Sequence, residues 1–196
     1  MIVVLITGIP AAGKSTLAEA LSGRLGLPML SKDGIKERLF DTIGFTCRAE
    51  KARLGVAAQE ALYYVAGQML RAGQSIILES NFEHASRAGL VRLLEDSHAQ
   101  PLTVRVTGDY GIIYRRFVER DRSPARHRGH VVNDRYPEET PGQEAPGISY
   151  EAFVGGIESR GMDAFDVGGP CLTVDTTDWS TVDVDVIAGW VRKNCP

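Results

Sequence analysis

Apolar positions along the chain fall into short aliphatic runs separated by longer stretches of helical spacing. The aliphatic runs occupy residues 2–7, 28–31, 75–78, 102–106 and 171–174. Short uninterrupted runs of this kind are typical of strands buried on both faces of a parallel sheet. The pattern therefore predicts five strands.

Helical spacing fills the intervals between these runs. Leu17, Leu21 and Leu25 recur every four residues, and Gly26 follows where a left-handed C-cap is favoured. Ser180 to Asp183 is interpreted as a capping box that opens a closing helix. Its predicted apolar stripe is Val182, Val186, Ile187 and Trp190. The other helices are predicted at residues 14–25, 33–40, 48–72, 84–95 and 112–122.

Strands that alternate with helices predict an α/β fold, in which helices cover both faces of a parallel five-stranded sheet. We expect a single domain over residues 1–196. Proline and glycine interrupt residues 123–149, among them Pro141, Gly142 and Pro146. We therefore expect a lid or mobile insertion at about residues 112–149.

A glycine-rich segment follows the first predicted strand and opens the first helix. Residues 8–15 match the pattern GxxxxGK[ST] at every fixed position. In such a loop, consecutive backbone N–H groups surround a phosphate at the positive end of the helix dipole. The expected nucleotide-binding residues are Gly8, Pro10, Ala11, Ala12, Gly13, Lys14, Ser15 and Thr16. Lys14 is expected to reach the β- and γ-phosphates, and the Ser15 hydroxyl to bind Mg²⁺.

Two acidic residues follow the next two strands. Asp33 comes after the second strand, where a carboxylate can accept the proton of an attacking hydroxyl. It is also suited to an ordinary helix N-cap. Glu79 ends the third strand and can hold Mg²⁺ or orient an acceptor. Both fall at the carboxyl edge of the sheet, where ligands bind in folds of this class.

Arginines crowd the predicted lid. They are Arg115, Arg116, Arg120, Arg122, Arg126 and Arg128. Arginines that close over a γ-phosphate stabilise the charge of the transition state. We expect Arg116 and Arg126 to do so here, although a solvated basic helix or a nucleic-acid contact would have the same composition.

These segments resemble the small P-loop kinases of the polynucleotide-kinase-like and zeta-toxin-like branch, which includes chloramphenicol phosphotransferase. The resemblance rests on the loop at residues 8–16, on Ser31 to Lys36, and on residues 77–82, and it covers roughly residues 1–130. It implies a P-loop NTPase three-layer sandwich, similar to nucleoside monophosphate kinases, with a lid arginine that touches the nucleotide. It also implies Asp33 as general base and Lys36 as a residue that helps to hold the acceptor.

One segment departs from the pattern of these kinases. The third strand usually ends in Asp, often followed by Thr-Asn, whereas this chain has Glu79, Ser80 and Asn81. The acid is therefore one methylene longer. We expect Glu79 and Asn81 to contact the acceptor, and Glu79 to take part in binding the metal.

Composition limits the classes of ligand and the cellular location that we expect. A net charge of −3 disfavours a dedicated nucleic-acid protein, although the local arginine cluster keeps that partner open. The absence of an Asn-Lys-x-Asp segment favours ATP over GTP. No run approaches the ~18 apolar residues that span a bilayer, and three scattered cysteines are typical of a reducing cytoplasm. We expect a cytoplasmic monomer or homodimer.

Three functions remain open from the sequence. The first is transfer of the γ-phosphate of ATP, with Mg²⁺, to a hydroxyl of a small molecule. The second is a polynucleotide 5′-hydroxyl kinase or a toxin-like kinase of a sugar nucleotide. The third is an ATPase switch that acts on a protein partner, which would not need an acceptor base such as Asp33.

Overall fold

The computed structural model describes residues 1–140 and 147–195, and its elements alternate as the hydrophobic pattern predicts. Of the insertion, Pro141, Gly142 and Pro146 lie outside the described residues. The strands are β1 (Ile2–Gly8), β2 (Met29–Ser31), β3 (Ile76–Glu79), β4 (Gln100–Thr107) and β5 (Cys171–Asp175). The helices are α1 (Lys14–Leu25), α2 (Lys32–Ile43), α3 (Arg48–Arg71), α4 (His84–Ser97), α5 (Tyr110–Arg122), α6 (Arg128–Val131), α7 (Tyr150–Arg160) and α8 (Val184–Lys193).

The five strands form one parallel sheet in the order β2-β3-β1-β4-β5. Every residue of β1 is buried, because the strand is paired on both edges and covered on both faces. The carboxyl ends of β1, β2 and β3 therefore lie side by side at one edge of the sheet. The predicted fold class is confirmed.

Alternate residues of β1 divide the core into two layers. Val4 and Ile6 pack in the cluster that contains Leu17 of α1 and Val191 of α8. Val3 and Leu5 pack on the other side, in the cluster formed with α3 and α4. This alternation follows from the period of two along a strand, and it produces helix layers on both faces of the sheet.

The closing helix differs from its sequence prediction. Asp183, rather than Ser180, is its N-cap, and the Asp183 side chain accepts from the backbone N–H groups of Asp185 and Val186. Residues Trp179–Thr181 form a 3₁₀ turn before it. Val186 is 66% exposed, while Ile187, Ala188 and Val191 are buried. Both the capping box and the place of Val186 in the buried stripe were therefore wrong.

The described residues that follow α5 pack on α2 and α3. Val132 is buried against Phe40 of α2 and Phe45, and Tyr136 stacks on Phe45 at a centroid distance of 6.1 Å. The Lys51 ammonium of α3 donates to the carbonyl oxygens of His130 and Val132. The basic segment after α5 is thus held over α2 and α3.

Within residues 1–140 and 147–195, no helix combines the length and the apolar character needed to cross a lipid bilayer.

Candidate active site

The glycine-rich loop turns tightly between β1 and α1. Gly8 has φ +129°, and a Cβ there would lie 1.9 Å from the carbonyl oxygen of Val106 in β4. Gly13 has φ +86°, and a Cβ there would lie 2.6 Å from the indole of Trp179. Only glycine combines these backbone angles with such close neighbours. The loop is therefore built to curl without side chains at its two ends.

The loop is also tied to the end of the sheet. The hydroxyl of Thr176, which is completely buried, lies 2.9 Å from the carbonyl oxygens of both Ala12 and Thr107. The segment after β5 thus supports the loop from behind, with Trp179 beside Gly13. Neither Thr176 nor Trp179 was singled out from the sequence, because they lie more than 160 positions from the loop they contact.

Lys14 is buried at the first position of α1. Its ammonium donates a hydrogen bond of 2.7 Å to the carbonyl oxygen of Ile9 within the same loop. Burial lowers the pKa of Lys14 to about 8, against the opposing effect of the nearby charges of Glu79 and Asp33. A positive charge at the start of a helix is unfavourable unless an anion compensates it. A phosphate bound in the loop would compensate the charge of Lys14 at this end of the helix.

Glu79 lies at the end of β3, between the loop and α2. It is 4% exposed, and its Oε2 accepts a hydrogen bond of 2.6 Å from the Ser31 hydroxyl. Burial raises the pKa of Glu79, while the charge of Lys14 and hydrogen bonds from Ser31 and Ser15 act in the opposite direction. The structure thus brings Glu79 together with Ser15 and Lys14, the two loop residues predicted to bind metal and phosphate.

Asp33 lies in the first turn of α2, at the mouth of the same site. Ser31, rather than Asp33, is the N-cap of α2, and its hydroxyl accepts from the Gly34 N–H. The surrounding protein acts to raise the pKa of Asp33 by desolvation, but the charges of Lys36, Arg126 and Lys14, together with His130, act to lower it. The net shift is downward, so Asp33 is ionised at neutral pH.

Two arginines of the lid segment complete this cluster. Arg120 and Arg126 both act on the pKa of Lys14, and their Nε atoms are buried without a hydrogen-bond partner in the described part of the chain. Asp121 lies between them, 3.4 Å from Arg120 and 3.6 Å from Arg126. Asp33 and Glu79 also act on Lys14, so the cluster brings three cations together with three carboxylates.

Arg116 does not join them. Its guanidinium donates two hydrogen bonds, of 2.6 and 2.8 Å, to the carbonyl oxygens of Thr176 and Thr177. The side chain thus holds the segment after β5, and the expectation that Arg116 closes over the γ-phosphate is not supported by its geometry. Arg120, one turn later on the same helix face, lies near Lys14 instead. The sequence analysis named Arg120 in the arginine cluster but selected Arg116 and Arg126.

The remaining predicted residues lie nearby. Lys36 acts on the pKa of Asp33, and its ammonium lies 5.3 Å from the centroid of the Phe40 ring. The backbone carbonyl of Asn81 accepts a hydrogen bond from the Thr7 hydroxyl, which places that residue at the same edge of the sheet. Burial lowers the pKa of His130, against the opposing charge of Asp33.

Sequence comparison assigns the chain to a family. Residues 3–135 match the AAA domain family. The chain is a member of that family. Comparison with curated proteins finds no match.

Solved structures give this AAA domain protein a kinase-like fold. A candidate kinase from Chloroflexus aurantiacus J-10-fl is 34% identical, has a TM-score of 0.82, and aligns over 100% of this chain and 98% of its own. A gluconokinase from Sinorhizobium meliloti 1021 is 14% identical with a TM-score of 0.53, over 98% of this chain and 93% of its own.

The APS kinase CysC of Mycobacterium tuberculosis, determined with AMPPNP and APS, is 16% identical. Its TM-score is 0.53, over 98% of this chain and 95% of its own. At these identities the gluconokinase and the APS kinase establish the fold alone. This AAA domain protein therefore has the fold of the small P-loop kinases.

Proposed function

We propose that this protein is an ATP-dependent phosphotransferase that moves the γ-phosphate to a hydroxyl group of a small molecule. The observation that carries the proposal is the convergence of Lys14, Asp33 and Arg126 at one edge of the sheet. A carboxylate that can accept a proton thus lies among cations that can stabilise a transferring phosphoryl group. A loop that only binds nucleotide has no need of the carboxylate.

The residues present fit a nucleoside triphosphate with Mg²⁺. The loop at residues 8–16 curls tightly because Gly8 and Gly13 carry no side chain against Val106 and Trp179. Ser15 and Glu79 supply the hydroxyl and carboxylate oxygens that Mg²⁺ prefers. When bound, the metal neutralises charge on the β- and γ-phosphates.

The transfer would proceed by in-line displacement. Asp33 accepts the proton of the acceptor hydroxyl as that oxygen forms a bond to the γ-phosphorus, and the bond from the γ-phosphorus to the bridging oxygen of ADP breaks. Lys14, Arg120 and Arg126 stabilise the negative charge on the transferring group and on the leaving ADP. Because the transition state of phosphoryl transfer is loose, a carboxylate with a lowered pKa is sufficient as the base.

Within the small P-loop kinases, we place the chain in the group that resembles polynucleotide kinases, zeta toxins and chloramphenicol phosphotransferase. The segment Ser31 to Lys36 and the position of an acid and Asn81 at the end of the third strand support that placement, although Glu79 replaces the usual Asp. We further propose that residues 1–196 form a single kinase domain and that residues 112–149 act as its lid. The small acceptor is favoured over a polynucleotide because the net charge is −3.

The test is transfer of labelled γ-phosphate from ATP and Mg²⁺ to hydroxyl-bearing metabolites, aminoglycosides, chloramphenicol and a 5′-hydroxyl oligonucleotide. The expected product is a phosphorylated small molecule, formed by the wild type and lost in Asp33→Asn. Labelling of the oligonucleotide alone would favour the polynucleotide kinase. ATP hydrolysis without any labelled acceptor would favour the ATPase switch.

A further inference from the structure

A cavity of about 450 Å³ lies between α3 and α4, next to the start of α2. This volume is within the range of roughly 300–1,000 Å³ that is usual for small-molecule sites. Lys32 and Lys36, the neighbours of Asp33 on α2, belong to its wall. The cavity therefore lies beside the turn of α2 that carries Asp33.

The wall of this cavity carries an excess of positive charge. Lys32, Lys36, Arg48 and Lys51 line it, and in residues 1–140 and 147–195 no acidic side chain lies within ion-pair distance of any of them. Two acidic residues, Glu60 and Glu83, share the wall. The Glu83 carboxylate already has partners, since Glu83 caps α4 and its side chain lies 3.7 Å from Arg160.

The lysines of the wall are held close to one another. Burial lowers the pKa of Lys51 to about 8, and the charges of Lys36 and Arg48 act in the same direction. Burial also lowers the pKa of Lys36. The partners of the Lys51 ammonium are the carbonyl oxygens of His130 and Val132 and the amide oxygen of Asn133, which are all neutral. Asp33 and Asp121 oppose these effects at Lys36 and Lys51 respectively, and an anion in the cavity would add negative charge beside Lys51 and Arg48.

Gln59 adds a polar group without a partner. The residue is 7% exposed, it lines the cavity, and neither its amide nitrogen nor its amide oxygen has a hydrogen-bond partner among the described residues. Buried amides in folded proteins are almost always paired, because an unpaired one disfavours folding. Both amide atoms are shielded from solvent, so the amide bonds to a ligand in the cavity once its side chain turns toward that ligand.

We propose that the phosphate acceptor is a small molecule that carries an anionic group, a carboxylate or a phosphate ester, besides the hydroxyl that is phosphorylated. Lys32, Lys36 and Arg48 bind the anionic group, and the Gln59 side chain turns so that its amide binds a polar group of the same molecule. This inference rests on the proposed function, because it assigns the cavity to the acceptor of that reaction. It excludes neutral polyols as preferred substrates.

The test measures binding separately from turnover. Calorimetric titration, with a non-hydrolysable ATP analogue and Mg²⁺ present, compares polyols of three to seven carbons, each as the neutral compound, the sugar acid and the sugar phosphate. We expect at least one anionic form to bind about tenfold or more tightly than its neutral counterpart, as one charged contact predicts. The carboxylate and phosphate arms show which anion is preferred. Equal or tighter binding of the neutral compounds, or no binding of any anion, would overturn the inference.

Matched variants locate the binding. Arg48→Gln should weaken binding of the anionic compound about tenfold. Arg53→Gln, on the same helix but outside the cavity, should leave that affinity unchanged. Gln59→Leu should raise the melting temperature, because it removes an unpaired buried amide, and should weaken acceptor binding. A higher melting temperature with unchanged affinity would overturn the assignment of Gln59.

The two proposals can fail independently. Preferential binding of an anion without any phosphorylated product would contradict the proposed function and leave the cavity assignment supported. Efficient phosphorylation of a neutral polyol would support the kinase and contradict the anionic acceptor. Preferential binding and phosphorylation of the 5′-hydroxyl oligonucleotide would contradict the proposal that the acceptor is a small molecule.

Discussion

The hydroxyl of Ser31 donates a hydrogen bond of 2.6 Å to Oε2 of Glu79, and it accepts one of 3.3 Å from the N–H of Gly34. One side chain therefore links the end of β3 to the first turn of α2. Asp33 lies in that turn. Ser31 thus fixes the separation between Asp33 and Glu79, and it does so without contacting ATP or the acceptor.

Replacing Ser31 tests this link. Ser31→Ala removes the N-cap of α2, so we expect a loss of about 0.5–2 kcal/mol in the free energy of unfolding. We also expect a lower kcat at an unchanged KM for ATP, since Asp33 and Glu79 lose their common support. Denaturant unfolding and steady-state kinetics measure the two effects. Ser31→Thr keeps the hydroxyl and should restore most of both, and an unchanged kcat in Ser31→Ala would contradict the link.

Asp33→Asn removes the proposed base while keeping its shape. We expect kcat to fall by about 10²–10⁴-fold, which is the usual contribution of general base catalysis. The dissociation constant for ATP should change little, because the phosphates are bound by the loop at residues 8–16. Single-turnover kinetics and nucleotide titration separate the two quantities. Asp96→Asn, at an exposed position of α4, is the control, and equal losses of kcat and ATP affinity would reduce Asp33 to a structural role.

The lowered pKa of Lys14 predicts how ATP binding depends on pH. The free protein holds this lysine with a pKa of about 8, and a bound triphosphate would raise that value. Binding therefore requires uptake of a proton above pH 8, and affinity for ATP should be nearly constant below about pH 7 and fall as the pH rises through 8. Titrations between pH 7 and pH 9.5 measure this. Lys14→Met should bind more weakly and lose the dependence, and a flat profile in the wild type would contradict the prediction.

Arg116 and Arg120 should differ although they share a helix face. Arg120→Gln is expected to lower kcat by about 10²–10³-fold, as for loss of one donor to a transition state. Arg116→Gln leaves the carbonyl oxygens of Thr176 and Thr177 without their donor, so it should cost about 1–3 kcal/mol of folding free energy with a smaller effect on kcat. Kinetics and thermal unfolding of both variants provide the measurement. A larger loss of kcat in Arg116→Gln than in Arg120→Gln would indicate that Arg116 contacts the phosphates.

The closing helix offers a matched pair for stability. Ile187 is 4% exposed and packs in the core beside α1, whereas its neighbour Val186 is 66% exposed. Ile187→Ala should cost about 2–5 kcal/mol of unfolding free energy, and Val186→Ala should stay within about 0.5 kcal/mol. Urea unfolding compares them. A similar cost at both positions would mean that the helix is rotated from the orientation described.

Local features of the chain were sufficient to predict most elements. The run at residues 2–7, the loop pattern at residues 8–15 and the four-residue spacing of the leucines in α1 depend on near neighbours in sequence, so β1, the loop and α1 were found at nearly the observed bounds. The closing helix was less accurate. Ser180 and Asp183 are both suitable caps, and only the packing of Ile187 and Val191 against α1 decides where that helix begins.

The sequence by itself determined the parallel sheet, the phosphate-binding loop and the presence of acids at the ends of β2 and β3, because these follow from short-range hydrophobic patterns and from a motif with fixed spacing. Only the tertiary structure decided which arginine stands beside Lys14. Arg116 and Arg120 are equivalent in helical spacing, and the carbonyl oxygens of a segment some sixty positions later bind one of them. The cavity wall was likewise decided by folding, because α2, α3 and α4 contribute to it from distant parts of the chain.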